Sequence, residues 1–362
     1  MKVCVIDEWL DGNLLSKIVN ETVSIEYIGG EKTDPAFPKI SHGTICMSLL
    51  VEALQEYKLL DCVHLIHLSV STDRELRSYS KMLQAIKYCM EHHVDIVSIS
   101  IGVFQRSLGI ELANNINNQS LYVAATANDF TITYPASMPE VLGVRYARDK
   151  IKSVYKISSA PSDGVDIDAR LPETSVMKLI EEKYGIRTQE SNSAVAPRVC
   201  AELVAAELKI GKPLTKEIAL EWLAKRGTID KGGFQVPYAM RKAEDDKCPT
   251  VFLPVDNTDN EQINKIIALQ KHFEARGYTC GVISDFFAVS DFLQGRYRLN
   301  SSHIAESIDY YQSTTSENLF LLFAKEKLFS EEMVDWCIPK WWNKHQSELC
   351  DMILQKFPEE AY

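Results

Sequence analysis

The most constraining feature of this chain is a buried strand that ends in an acidic residue. Residues 3–6 form the apolar run VCVI, which is typical of a strand in a parallel sheet. The run ends in Asp7, so we expect its carboxylate at the carboxyl end of the strand, where open α/β sheets place their functional sites. A second buried strand, in the segment VDIVSISIGVF, ends in Ser100, Ile101 and Gly102. These patterns predict an α/β fold with a parallel sheet.

Two helices are predicted to begin at residues that carry chemistry. His42 is followed by Gly43 and then by apolar residues at helical spacing, which places its imidazole at a helix start. Ser193 opens another helix, and Pro197 lies in its first turns, where a missing N–H is tolerated. A serine hydroxyl becomes a nucleophile when a base lies within hydrogen-bond reach and a third group orients that base. Ser193, His42 and Asp7 are candidates for these roles.

Four short segments carry the candidate residues in a diagnostic order. They are VCVIDEWLD around Asp7, SHGTICMSLL around His42, YVAATANDF around Asn128 and ESNSAVAPRV around Ser193. Among serine triads, the order Asp, His, Ser is that of subtilisin. The chain resembles the subtilisin-like serine protease family, whose members read approximately V-x-V-x-D-x-G, H-G-T-x-V-A-G, A-A-G-N and G-T-S-M-A-x-P at these points. The resemblance is continuous from residue 1 to about residue 210.

The resemblance implies a serine endopeptidase, a hydrolase that forms an acyl-enzyme. Asp7, His42 and Ser193 would be its catalytic triad. Asn128 would donate its side-chain N–H to the developing oxyanion, beside the backbone N–H of Ser193. We expect no cofactor and no metal at this site. His64 and His67, in the strand-like stretch from Val63 to Val70, are interpreted as surface residues without a metal role.

The resemblance also implies where a substrate binds. An extended peptide or protein substrate would pair with the strand end formed by Ser100, Ile101 and Gly102, which is strand addition to an edge. Ala127 stands where the family has the glycine that leaves room in the first specificity pocket. Its methyl group predicts a narrower pocket.

Departures from the family pattern leave a second function open. Trp9 replaces the glycine after the aspartate, and Ser191 and Asn192 replace the glycine and threonine before the serine. Such changes also occur where a family member keeps its fold and loses activity. The alternative is therefore a catalytically silent module that grips an extended peptide along residues 100–102.

Composition excludes several classes of partner. The net charge of −11 disfavours nucleic acid and anionic membrane surfaces, which reward clustered Lys and Arg. Met1 leads directly into the first strand without a secretion signal, and we expect neither a membrane segment nor a propeptide. The nine cysteines include no C-x-x-C pair, which is typical of reduced thiols in a cytoplasmic protein.

The C-terminal third predicts a second, smaller α/β domain. We predict a peptidase domain over residues 1–240, a charged linker over 241–249 and the small domain over 250–362. Its predicted elements are a strand at 250–255, a helix at 260–276, a strand at 279–284, a helical stretch and a strand at 318–324. It resembles nucleotide-binding domains that accompany peptide maturation systems but lacks a phosphate-binding loop. We therefore favour a structural or peptide-recognition role, with a leader-bearing precursor peptide as a candidate partner.

Overall fold

The fold is described from a computed structural model of the chain. The described residues are 1–29, 40–71, 78–148, 151, 153–159, 161, 163–230, 248–255, 260–288, 290–325 and 333–357. Most of the predicted linker lies outside these ranges, and so do residues 256–259, which follow the first predicted strand of the small domain, where the sequence lacks a phosphate-binding loop. The linker and the domain boundaries therefore stay predictions.

The first unit is built on a mostly parallel sheet. Within the described residues its strands are β1 (Lys2–Asp7), β2 (Ile25–Ile28), β3 (His64–Ser69), β4 (Ile96–Ile99), β5 (Leu121–Ala125), β6 (Leu142–Tyr146), β7 (Tyr155–Ser158), β8 (Ile167–Ala169) and β9 (Gly227–Asp230). Their order across the sheet is β2-β3-β1-β4-β5-β6-β8-β7-β9. The described neighbours pair in parallel except β7 with β8. The predicted α/β class is confirmed.

Helices cover both faces of this sheet. They are α1 (Gly12–Val19), α2 (His42–Glu56), α3 (Tyr79–Glu91), α4 (Arg106–Ala113), α5 (Ser175–Tyr184), α6 (Asn192–Ile210) and α7 (Lys216–Ala224). Helix α2 begins after Ser41, whose hydroxyl accepts the N–H of Thr44 at 3.1 Å. Gly43 lets this helix start approach the end of β1, because an added Cβ would lie 2.3 Å from the carbonyl oxygen of Glu8. The close approach brings His42 beside Asp7.

The second unit is a smaller parallel sheet. Its described strands are β10 (Thr250–Val255), β11 (Cys280–Ser284), β12 (Arg296–Arg298), β13 (Leu319–Lys325) and β14 (Trp336–Cys337), in the order β12-β11-β13-β10-β14. Its described helices are α8 (Asn260–Glu274), α9 (Ile304–Thr314) and α10 (Gln346–Lys356). Strands β10, β11 and β13 and helix α8 lie where the sequence predicts them, within two residues at each end.

The two units share one apolar core. Buried side chains of the first unit, such as Tyr134, belong to the same cluster as Phe292 and Tyr297 of the second. Buried Arg106 on α4 pairs with Glu274 at 2.8 Å and with buried Glu317 at 3.3 Å. Removing one partner of a buried ion pair typically costs about 3–5 kcal/mol. The second unit is therefore packed against the first as part of its structure.

None of the helices in the described ranges combines the length and the apolar character that a membrane span requires.

Candidate active site

The structure brings the predicted acid and base into contact. Asp7 is the last residue of β1 and His42 the first of α2, and the Nδ1–H of His42 donates to Oδ1 of Asp7 at 2.7 Å. The backbone N–H of Glu8 donates to the same oxygen at 2.7 Å. With Nδ1 carrying the proton, Nε2 of His42 is the nitrogen that can accept one.

The contact sets the electrostatics of both side chains. Burial disfavours the charged form of Asp7, but the charge and hydrogen bond of His42 outweigh it, so the pKa of Asp7 is lowered. The negative charge of Asp7 raises the pKa of His42 above its ordinary value. The pair therefore favours an ionised carboxylate and a basic imidazole.

A thiol lies next to this pair. Cys46, one helical turn after His42, places its Sγ 3.8 Å from Nδ1 of His42 and 3.7 Å from the carbonyl oxygen of Ser193. Burial, followed by the charge of Asp7, raises the pKa of this thiol, so it stays protonated. Ligand atoms of Asp7, His42 and Cys46 lie within 4.8 Å of one another, so this trio has the donor set for a metal ion. The hydrogen bond between Asp7 and His42 already uses two of these groups.

Ser193 lies in the first turn of α6 and lines the same cavity as His42. Its Oγ makes a 2.6 Å hydrogen bond with Oγ of Ser191, and its carbonyl oxygen accepts the hydroxyl of Ser100 at 3.2 Å. Among the described residues, no hydrogen bond joins His42 to Ser193. Catalytic hydrogen bonds are often long before substrate binds. The structure thus assembles the Asp–His half of the predicted triad and places the serine at the same cavity.

Asn192 ties the segment around Asn128 to the start of α6. Its backbone N–H donates to Oδ1 of Asn128 at 3.0 Å, and within the described part of the chain no group accepts a hydrogen bond from Nδ2 of Asn128. Its side-chain Nδ2 donates to the carbonyl of Ala127 at 2.8 Å, and its Oδ1 accepts the N–H of Tyr146 at 2.9 Å. In the sequence, Asn192 stands out only because it replaces the family threonine. We did not predict that its buried side chain positions the segment around Asn128.

The cavity has a volume of about 390 Å³. Every predicted site residue except buried Asp7 lines it: His42, Ser100, Ile101, Gly102, Ala127, Asn128 and Ser193. The lining residues that the sequence did not single out for the site include Phe104, Thr133, Ile186, Arg187 and Thr188. Phe104 and Ile186 are exposed apolar side chains, a surface feature that often marks binding.

One histidine is not where the sequence suggested. We interpreted His64 and His67 as surface residues, and His64 is exposed, but His67 is 1% exposed. It lies on β3, which is an inner strand between β2 and β1. Burial lowers its pKa to about 4, so it is neutral at physiological pH.

The model of the subtilase family, Peptidase S8, matches residues 1–211. The chain belongs to this family and is a serine peptidase, which confirms the resemblance drawn from its motifs. Among curated proteins, none matches the chain at a significant level.

Several solved structures are distantly similar to the chain. A lanthipeptide protease shares 13% identity, with a TM-score of 0.42 over 62% of this chain and 79% of that one. The prenylagaramide maturation protease PagA shares 18% identity, with a TM-score of 0.38 over 59% and 78%. The self-cleaved protease domain of PatA shares 14% identity, with a TM-score of 0.37 over 61% and 84%.

Proposed function

We propose that the protein is an intracellular endopeptidase that hydrolyses peptide bonds through an acyl-enzyme on Ser193. The observation that carries the proposal is the 2.7 Å contact between Asp7 and His42 at a cavity that Ser193 and Asn128 also line. Nucleophile, base, orienting carboxylate and oxyanion donor are the four parts that acyl transfer requires.

Each step has a residue to perform it. Ser193 exchanges its hydrogen bond with Ser191 for one with His42, and its Oγ attacks the substrate carbonyl while Nε2 of His42 takes the proton. Asp7 stabilises the resulting imidazolium, and Nδ2 of Asn128 donates to the oxyanion. The C–N bond breaks as His42 protonates the leaving amine. Water then attacks the ester carbonyl while His42 accepts its proton. The ester C–O bond breaks as His42 passes this proton to Oγ of Ser193, and the product leaves as a carboxylic acid.

Thiol chemistry supports an intracellular location. The nine cysteines are all free, and Cys4, Cys46, Cys89, Cys200, Cys280 and Cys350 are buried. Free thiols persist in reducing compartments, whereas secreted domains tend to carry disulfides. We therefore propose that the protein acts in the cytoplasm.

The second unit supports a restricted substrate, which we propose to be a specific precursor peptide with a leader segment. It contacts segments that continue into the cavity wall: the hydroxyl of Ser316 donates to the carbonyl of Phe104 at 3.3 Å, and the N–H of Ile132 donates to the carbonyl of Thr314 at 2.8 Å. Because the second unit packs against these segments, the cavity wall that they form cannot easily adjust to substrate side chains of different size. A rigid wall favours a few substrates over many.

The experiment that tests the proposal is labelling by a fluorophosphonate, which reacts with an activated serine. The full-length protein is expected to be labelled and Ser193→Ala to be unlabelled. Ser24→Ala is the matched control, because Ser24 is exposed and does not line the cavity. Absence of labelling in the folded wild-type protein would instead support the peptide-binding module without turnover.

A further inference from the structure

The hydroxyl of Ser191 lies against the proposed nucleophile. Its Oγ is 2.6 Å from Oγ of Ser193, and both residues line the cavity of the candidate active site. Within the described ranges, the hydroxyl of Ser191 makes no other hydrogen bond. Ser191 stands where the family has glycine, which has no side chain to make this contact. The contact therefore belongs to a position at which this chain departs from the family pattern.

Helix capping does not explain this serine. Ser191 is the N-cap residue of α6, but its side chain makes no capping hydrogen bond. An N-cap serine normally accepts an N–H from the first turn, as Ser41 does at the start of α2. The backbone of Ser191, with φ −91° and ψ 133°, is one that any residue adopts. Its hydroxyl can therefore be removed without loss of a helix cap and without backbone strain.

We propose that Ser191 is a further catalytic residue, which donates a hydrogen bond to Oγ of Ser193 while the acyl-enzyme is hydrolysed. The inference rests on the proposed function, because it requires an ester on Ser193. Either hydroxyl can donate in the resting protein. The ester has no proton on Oγ of Ser193, so Ser191 is then the donor and Ser193 the acceptor.

This hydrogen bond strengthens as the ester is cleaved. Water adds to the carbonyl carbon while His42 takes its proton, and the bond from this carbon to Oγ of Ser193 then breaks with its electron pair left on Oγ. His42 passes the proton to Oγ, and Ser191 keeps its own proton throughout. An ester oxygen shares its lone pair with the carbonyl and accepts weakly, whereas an oxygen that gains negative charge accepts strongly. An interaction that is stronger in the transition state than before it accelerates the step.

The same contact has a smaller effect on formation of the ester. The resting protein already makes it, at 2.6 Å, so it is present both before and during the attack of Ser193 on the substrate. An interaction of similar strength in the ground state and the transition state leaves the rate between them almost unchanged. Ser191 is therefore expected to accelerate deacylation and to spare acylation, whereas a general disturbance of α6 would slow both.

The experiment follows both half-reactions with p-nitrophenyl acetate, which transfers an acetyl group to an activated serine. Release of p-nitrophenol measures acylation, and decay of the acetylated full-length protein, read by mass spectrometry, measures deacylation, with Ser193→Ala as the background. Ser191→Ala and Ser191→Gly remove the hydroxyl, and Ser191→Thr keeps it. Ser78→Ala is the matched control. Ser78 is the N-cap residue of α3, lacks a capping hydrogen bond, shares its hydroxyl with Ser80 at 3.0 Å and does not line the cavity.

Loss of the hydroxyl is expected to slow deacylation about ten-fold, the effect of one hydrogen bond to a charged oxygen, and to change acylation less than about two-fold. Ser191→Thr is expected to deacylate faster than Ser191→Ala, and Ser78→Ala at the wild-type rate. Equal acetyl lifetimes in the wild-type protein and both variants that lack the hydroxyl, or equal slowing of both half-reactions, would overturn the role of Ser191 and leave the proposed function standing. A folded wild-type protein that is never acetylated on Ser193 would overturn both.

Discussion

Replacement of Asn192 by alanine tests how the oxyanion donor is held. The substitution removes the amide that donates to the carbonyl of Ala127 at 2.8 Å and, more weakly, to that of Thr126 at 3.3 Å, and that accepts the N–H of Tyr146 at 2.9 Å. Ala127 and Tyr146 are half-buried, so loss of each of these two shorter bonds is expected to cost about 1 kcal/mol. We expect the free energy of unfolding to fall by about 2 kcal/mol.

The same substitution is expected to lower kcat about ten-fold with little change in KM. Subtilisin itself loses about 10²–10³ in kcat when its oxyanion donor is removed, and we take that magnitude as the upper bound. The loss here is smaller because the backbone N–H of residue 192 still donates to Oδ1 of Asn128. KM is expected to stay the same because the substitution leaves residues 100–102 untouched, and we expect the substrate to pair with these residues.

Two further variants sharpen this test, which is read from steady-state kinetics and urea unfolding. Asn192→Asp keeps the acceptor for Tyr146 but sets a carboxylate against the carbonyl of Ala127, and its charge opposes the oxyanion, so kcat falls further than in the alanine variant. Gln270→Ala is the matched control, because this buried amide also donates to backbone carbonyls, those of Cys280 at 2.9 Å and Gln294 at 2.8 Å. It should lose stability and keep kcat. An unchanged kcat in both Asn192 variants would refute the reasoning.

Three other predictions follow from the site and its surroundings. Because Asp7 raises the pKa of His42, kcat/KM is expected to fall as the pH drops through a midpoint above about 6.5. Asp7→Asn is expected to lower that midpoint and to cut kcat about 10⁴-fold. A midpoint that does not move in this variant would assign the titration to a group other than His42. Buried His67 is neutral in the folded state down to pH about 4, whereas in the unfolded chain it binds a proton near pH 6.5. Its contribution to the free energy of unfolding is therefore fully present above pH 6.5, and the free energy of unfolding falls by about 3 kcal/mol on acidification to pH 4. Urea unfolding of His67→Leu at both pH values is expected to lack that loss, and an equal loss in both proteins would contradict the assignment. Ala127→Gly is expected to widen the preference for the residue before the scissile bond toward aromatic side chains, by about 1–3 kcal/mol per substrate difference. Both proteins are compared on one peptide library, and identical cleavage profiles would mean that residues other than Ala127 shape the pocket.

Local patterns in the sequence were sufficient to predict the parts of the site that depend on one element each. An apolar run ending in Asp7 predicts a strand with its carboxylate at the end, and helical spacing after His42 predicts a helix that starts there. The contact between these residues was predicted because the family motifs specify which ends meet. Strands β10, β11 and β13 and helix α8 of the second unit were also predicted from local patterns, because the periodicity of each lies within one segment.

Only the tertiary packing showed that the face of strand β3 that carries His67 is buried. The segment around His67 predicts a strand, but its periodicity cannot tell whether one or both faces are covered. The order of the sheet places β3 inside, between β2 and β1, and this burial turns an expected surface histidine into a neutral core residue.

The shape of the pocket was decided by contacts between segments far apart in the chain. Thr133, whose Cγ2 packs against Gly102, follows it by 31 residues, and Ile132 is bonded to Thr314, which ends helix α9 of the second unit. No local pattern in the sequence specifies these two pairs. They depend on how the segments after β4 and β5 are arranged and on which part of the second unit packs against them. The sequence by itself determined the family, the elements and the identity of the candidate chemical groups. Only the tertiary structure decided that Asn192 is bonded to Ala127 and Asn128 and that the second unit contacts the segment around Ile132, because close packing joins residues without regard to their separation along the chain.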